Sequence, residues 1–345
     1  MNRRKISFFL LSAILIASTI FGCNKPLQTD DGLATIDLKF VADIPMGGDT
    51  NRWDYQSIDY ENSRLYISHL GSSMVTVFDL KTQKVITDIP DIPRPYGILA
   101  VPGLKAVYVS AAGKNQVGVI DENSLNVIKY IQAGQTPDGI AYDPKTNKVF
   151  VSDENGGTIT VIDAKTNEFV ENIPFGKGVG NTQYDPVSGL IYSVSGVDDK
   201  IAEIDPATDK IINTYQLDAG SFPHGVYIDE NTHYALIACQ GKARLIVFDL
   251  NSKRVIVSET IGDVPDVLAF DPGLRRLYVA AESGVMAVFD VQKGKIVKVG
   301  QVFVAAKAHT VSVDKNTHRV YLPLENVNGK PVLRILEPVV AIRKS

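Results

Sequence analysis

One pattern in this chain constrains its fold more than any other. Asp59, Val101, Asp143, Asp185, Asp229, Asp271 and Asp314 stand in matching strand–turn contexts, at steps of 42, 42, 42, 44, 42 and 43 residues. A second marker, an apolar residue followed by an acid, keeps the same beat at Asp79, Asp121, Asp163, Asp205, Asp249 and Asp290, and more loosely at Glu337. The unit is clearest from Thr136 to Asp163, which reads strand, Asp-Pro turn, strand, loop, strand. Length alone suggests about two domains. Two markers in step seven times overrule that, because a period in the low forties is that of a four-stranded propeller blade. The predicted fold class is all-β: a seven-bladed β-propeller.

The composition of the repeats agrees. Second strands such as Leu65-Tyr-Ile-Ser, Val107-Tyr-Val-Ser and Leu277-Tyr-Val-Ala are almost wholly apolar, as expected of blades buried on both faces. The acids of both markers head tight turns, where Asp bonds its own backbone two residues on, so their expected role is structural. Thr35–Pro45 reads as a fourth strand yet precedes the first blade, while the last blade shows only three: His309–Val313, Arg319–Leu324 and Val332–Leu336. The amino-terminal strand is therefore expected to complete the last blade and leave no open edge. The propeller spans residues 33–338, with a tail at 339–345.

Ahead of the repeats, Met1-Asn-Arg-Arg-Lys5 is basic and Ile6–Ile20 is an uncharged apolar run. That run is shorter than the roughly 20 residues a bilayer span needs, and reads as a signal segment. Ile20-Phe21-Gly22-Cys23 resembles a bacterial lipobox. The expectation is a signal peptide at 1–22, acylation of Cys23, a polar tether at 23–32, and a lipid-anchored protein of the cell envelope on the periplasmic or cell-surface side. Cys239 is then the one cysteine besides the anchor, and reads as a small buried apolar residue. Without Arg3, Arg4 and Lys5 the chain carries 32 basic and 39 acidic residues, a net charge of −7. Such a domain is poorly suited to nucleic acid, whose sequence-independent binding rests on neutralising phosphates. A monomer is expected.

The repeats resemble the YVTN family of bacterial seven-bladed propellers, the YncE-like proteins. The likeness is carried by Tyr66-Ile-Ser-His, Tyr108-Val-Ser-Ala, Phe150-Val-Ser-Asp and Val161-Ile-Asp163, and covers about Leu33 to Pro338. It implies a secreted or envelope propeller. It leaves the activity open, since the family includes proteins suggested to bind nucleic acid, surface-layer proteins and many of unknown role.

The register of the repeat collects candidate site residues at one mouth of the ring. Five residues before the marker stand Asp54, Tyr96, Asp138, Gly180, His224, Asp266 and His309. Ten or eleven after it stand His69, Asp153, Glu154, Cys239, Gln240, Glu282 and Glu325, and entry loops add Arg52, Arg94 and Lys307. His233 and His318 lie in turns on the opposite face and read as solvated. Trp53, Tyr55, Tyr96 and Phe222 beside the three basic residues suit a small molecule, a glycan, a peptide or an anion. The expected function is a binding or interaction scaffold with its ligand at this mouth, or a surface whose partners are proteins. The alternative is an enzyme of lactonase or lyase type. It would hold one divalent metal ion on His224, Asp266, His309 and Asp54, with His309 or His224 as the base. No nucleotide-binding glycine loop, Ser-His-Asp spacing or CxxC pair is present.

Overall fold

The computed structural model describes residues 29–339; the signal segment, Cys23 and residues 340–345 lie outside the described residues. Seven antiparallel sheets of four strands follow one another in chain order around a ring. The first blade comprises Gln56–Asp59, Arg64–His69, Met74–Asp79 and Lys84–Ile89, running from the axis outward. The seventh has Ser312–Val313, Val320–Val327 and Lys330–Pro338, and its outer strand is Leu38–Pro45 from the amino terminus. The predicted closure is therefore observed. That strand starts at Leu38 and not at Thr35, and the end of the predicted polar tether is structured. Thr29–Ala34 is a short helix that contacts the outer strand of the sixth blade, and Leu33 is buried against Val302 and Val304.

Second and third strands carry the core. Tyr66, Tyr108, Phe150, Tyr192, Tyr278 and Tyr321 occupy one register position and are fully buried between blades. Burial on both faces explains why these strands lack the alternation of a one-sided sheet. Fourth strands face water and share another device. In blades one to five the pairing slips by a residue, leaving Ile86, Ile128, Val170, Ile212 and Ile256 as unpaired, exposed bulge residues. The corresponding slips in blades six and seven fall at Val299 and Val41. A bulge twists the outer edge away from a geometry that another strand could extend.

The marker acids do what the turn reading predicts. The Asp59, Asp185 and Asp271 carboxylates accept hydrogen bonds from the backbone N–H groups two and three residues on. They also do something the sequence did not announce. The residue four after the marker reaches back to the marker of the preceding blade: His233 to Asp185 at 2.8 Å, His318 to Asp271 at 2.7 Å, and Arg275 bidentately to Asp229. His233 and His318 are thus ties between blades and not the solvated residues expected. Their backbones are left-handed, at φ 59° and 62°. That geometry ends each turn and directs the side chain toward the neighbouring blade.

Candidate site at the mouth of the ring

Loops entering the first strands and leaving the second strands gather at one mouth, around a cavity of about 230 Å³. Five of the seven residues at the position five before the marker line it: Asp54, Tyr96, Asp138, His224 and Asp266. The exit loops contribute Glu154, Gln240 and Glu282. All three stand eleven residues after the marker. Those at ten, His69, Asp153 and Cys239, are fully buried and lie outside the cavity lining. Successive side chains of a strand point to opposite sides, so one residue of offset separates the mouth from the blade interior.

Arg52 bridges this mouth. Its guanidinium donates to Glu282 Oε1 at 2.8 Å and lies 3.6 Å from Asp266 and 3.7 Å from Asp54. Burial works against its charge, but Asp54, Asp266 and Glu282 outweigh that and raise its pKa above the usual value. The equivalent entry position is left-handed in the six other blades, at Arg94, Thr136, Gly178, Phe222, Val264 and Lys307; Arg52 is the exception. The first blade also begins its inner strand later, at Gln56, while the second begins at Pro95. This different backbone gives Arg52 a different side-chain direction from Arg94 and Lys307, which remain exposed at the rim. Arg94 donates to the Tyr96 hydroxyl at 2.6 Å, and Lys307 lies 3.6 Å from Glu325.

The electrostatics of the mouth are those of crowded, buried acid. Burial raises the carboxyl pKa of Asp54 and Asp138 well above the usual range, and mutual repulsion with Asp266 adds to it. His224 Nε2 sits 3.3 Å from Asp266 and 3.7 Å from Asp138, between two carboxylates. His309 lies beside this group. Its Nδ1 is 3.3 Å from the Lys307 carbonyl, which can only accept, so Nδ1 carries the proton and Nε2 presents a lone pair. Nε2 has no hydrogen-bond partner, and burial lowers the pKa of the ring although Asp266 opposes this. Among the described residues, Asp54 Oδ2, Asp138 Oδ1, Asp266 Oδ1, Arg52 Nε and the Tyr55 hydroxyl are also buried without a partner.

Two expected site residues are elsewhere. Trp53 is 1% exposed and stacks on His69 with ring centroids 3.6 Å apart. It belongs to the core between the first and last blades, so neither ring is available to a ligand. Burial lowers the His69 pKa to about 4, which keeps that imidazole neutral. The register contained this signal: the place of Trp53 is taken by Pro95, Pro137, Pro223 and Pro265 in other blades, an interior position. Cys239 is buried, and its thiol is pushed up to about 12, as expected of an inert apolar residue.

The predicted metal set is not assembled as such. Among the described residues no group of three or more His, Cys, Asp or Glu side chains is placed to hold a metal ion. The cation lying among Asp54, Asp266 and Glu282 is the guanidinium of Arg52. The residues present therefore do not fit the divalent ion expected from the register.

Below the mouth, a larger axial cavity of about 520 Å³ opens between the first strands toward the face of the Asp-Pro turns. Tyr55 and Asn181 line it, and the buried Tyr55 hydroxyl is close enough to the mouth to feel Asp266, Asp138 and Asp54. Asn181 was missed from sequence. It stands four residues before the marker, where blades two, three and five have Gly97, Gly139 and Gly225. Those glycines let neighbouring backbones converge on the axis. A Cβ on Gly225 would lie 1.9 Å from the Asp266 carbonyl oxygen, and one on Gly97 2.0 Å from that of Asp138. Gly225→Ala is expected to cost at least about 2 kcal/mol, the range of overpacking, because backbone and not a flexible side chain must yield. A chemical-denaturation midpoint equal to wild type would refute this.

Acid and base limbs of stability follow from the same charges. Burial pushes Asp153 up to about 6 and Glu122 up to about 7. A carboxyl raised in the folded state favours folding below its unfolded pKa, and that contribution is lost as pH rises through the folded value. For Asp185 and Asp229 burial acts in the same direction, but hydrogen bonds from Ser188 and His233, and from Arg275 and Thr232, outweigh it and lower both. Their contribution is lost as pH falls below about 4. Melting temperature should therefore be highest near about pH 4 and decline as pH rises to about 7. Asp153→Asn with Glu122→Gln should flatten the decline; an unchanged profile would sink the assignment.

Comparison with known proteins comes down to shape. No family model matches the chain, and no curated protein does. Many solved structures match. Among them is hydrazine synthase from Kuenenia stuttgartiensis, with TM-score 0.73 and 17% identity, covering 88% of this chain and 100% of that one. Another is virginiamycin B lyase from Staphylococcus aureus, with TM-score 0.71 and 13% identity, covering 86% and 99%. The likeness is one of fold. At these identities it carries the seven-bladed ring and nothing of its chemistry.

Proposed function

We propose that this chain is a YncE-like, lipid-anchored envelope propeller that acts as a binding scaffold, with its ligand held at the Arg52 mouth. One observation carries the reading. Buried polar atoms of Asp54, Asp138, Asp266 and Arg52, contributed by the first, third and sixth blades, lack partners around a single cavity. Buried polar groups are normally hydrogen-bonded, and leaving several unpaired at one place costs stability that a ligand would restore. The acidic lining departs from the anionic-ligand expectation, because Arg52 is engaged by three carboxylates. Thermal-shift screening of the purified chain against amines, carboxylates, sugars and divalent salts tests the reading. A ligand at 100 times its Kd should add about 2.7 kcal/mol, and Arg52→Ala or His224→Ala should remove the effect. Ligands whose effect survives both substitutions would place binding elsewhere. The anchor is tested by Cys23→Ala, expected to move the protein out of the membrane fraction.

His309 supports a second reading, an enzyme of lyase type like the virginiamycin B lyase whose fold it shares. A neutral imidazole with Nδ1 fixed by a carbonyl and Nε2 free is arranged as a general base, and Asp54 and Asp138, whose pKa values burial raises, are the acids nearest to it in character. In that case a ligand found by screening is turned over, and His309→Ala abolishes turnover while binding persists. Recovery of every bound ligand unchanged leaves the scaffold alone.

A further inference from the structure

We infer that the ligand of this mouth is a small organic ammonium compound, seated between Asp138 and the Asp54–Asp266 pair and against the ring of Tyr96. This rests on the mouth being the binding site. Five carboxylates line the cavity, those of Asp54, Asp138, Glu154, Asp266 and Glu282, against one guanidinium and one imidazole. The guanidinium is not shared evenly. Arg52 meets Asp54, Asp266 and Glu282, while among the described residues Asp138 faces only His224, at 3.7 Å, and Glu154 has no ion-pair partner. The side of the third blade is therefore short of positive charge. Asp138 is 1% exposed and lines the cavity, and its Oδ1 is buried without a donor.

Such an oxygen calls for an N–H donor or a cation. Three further observations select an organic ammonium. An anion would enter a lining of excess carboxylate. A divalent ion finds no three side chains placed to hold it. A space of about 230 Å³ takes a molecule of several heavy atoms and not only one ion. The lining also includes Tyr96 of the neighbouring second blade, half-buried, whose ring already accepts one cation, Arg94, at 5.4 Å from its centroid. An aromatic face beside carboxylates is the setting in which ammonium groups are held by charge and ring together.

The test is calorimetric titration of the full-length chain with 1,4-diaminobutane, ethanolamine and choline. Magnesium chloride, sodium acetate and glucose form the comparison arms. At least one ammonium compound should bind saturably. Asp138→Asn should weaken it at least 10-fold, since charge and acceptor are both reduced, while Glu171→Gln on the exposed outer strand should leave it unchanged. Asp138→Asn should also raise the melting temperature of the free protein, because an uncompensated buried carboxyl is removed; this separates lost binding from lost folding. If magnesium, acetate or glucose binds in a manner that depends on Arg52 or His224 while the amines are silent, the ammonium inference is wrong and the mouth remains the site. Amine binding indifferent to Asp138→Asn also overturns the inference. If no arm shows binding that depends on Asp138, Arg52 or His224, the inference and the mouth reading fall together.

Discussion

Deletion of residues 33–44 should leave a chain that no longer closes into a stable ring. Leu38–Pro45 pairs with Lys330–Pro338 along its length, from Leu38 opposite Pro338 to Pro45 opposite Val332. Leu33, Ile36 and Leu38 are buried between the last two blades. At roughly 1.5–3 kcal/mol for each buried aliphatic side chain, their loss amounts to about 5–9 kcal/mol. That is comparable with the whole net stability of a domain, about 5–15 kcal/mol. The deletion also strips Arg334, 8% exposed, of its bidentate partner Asp43 at 2.8 and 2.7 Å. It opens an unpaired strand edge as well, so aggregation should accompany unfolding. Asp43→Ala isolates the ion pair and should cost about 3 kcal/mol, the lower end for a buried charge left unpaired. Size-exclusion chromatography and thermal melts check both variants. A monomeric deletion variant melting at the wild-type temperature would show that the seventh blade closes without this strand.

Arg275→Ala is expected to be the most damaging single substitution on the opposite face, at about 3 kcal/mol. Asp229 is nearly inaccessible and already serves its own turn, accepting from Asn231 and Thr232. Arg275 supplies its compensating charge from the next blade, and also donates from Nε to the Val291 carbonyl. Removing the guanidinium leaves a buried carboxylate and loosens the joint between the fifth and sixth blades. The Asp229 pKa should rise, moving the acid limb of the stability profile to higher pH. His318→Ala, which removes the same tie one blade on through an imidazole, should cost less, about 1 kcal/mol. Denaturant midpoints at pH 7 and pH 5 distinguish them. If His318→Ala proves the more damaging, charge compensation is not what these ties provide.

Blade number, blade boundaries and ring closure were legible because they depend on local signals repeated seven times. An Asp that bonds its own turn does so wherever the chain is placed, and a strand buried on both faces must be apolar along its length. Contiguity in the sequence becomes contiguity in the ring, so the placing of Asp54, His224 and Asp266 around one cavity could be deduced by counting, while His309 falls outside its lining. The site's chemistry was less legible. Counting put His69 and Glu154 in one set, although a single residue of offset sends one into the core and the other to the cavity. It treated Arg52, Arg94 and Lys307 as equivalents, although Arg52 alone among the entry residues of the seven blades escapes the left-handed backbone.

The repeat thus determined which residues stand at the axis, at the turns and at the closing edge, since each is a matter of period and neighbouring residues. Only the tertiary structure decided which of them meet. Arg52 bridges to Asp266 and Glu282, His233 reaches Asp185, and Arg275 reaches Asp229, all across blade boundaries. Such contacts depend on the direction of one Cα–Cβ bond and on how closely two backbones approach, as at Gly225 beside Asp266. Both are set by packing between segments about forty or more residues apart, and no local pattern encodes them.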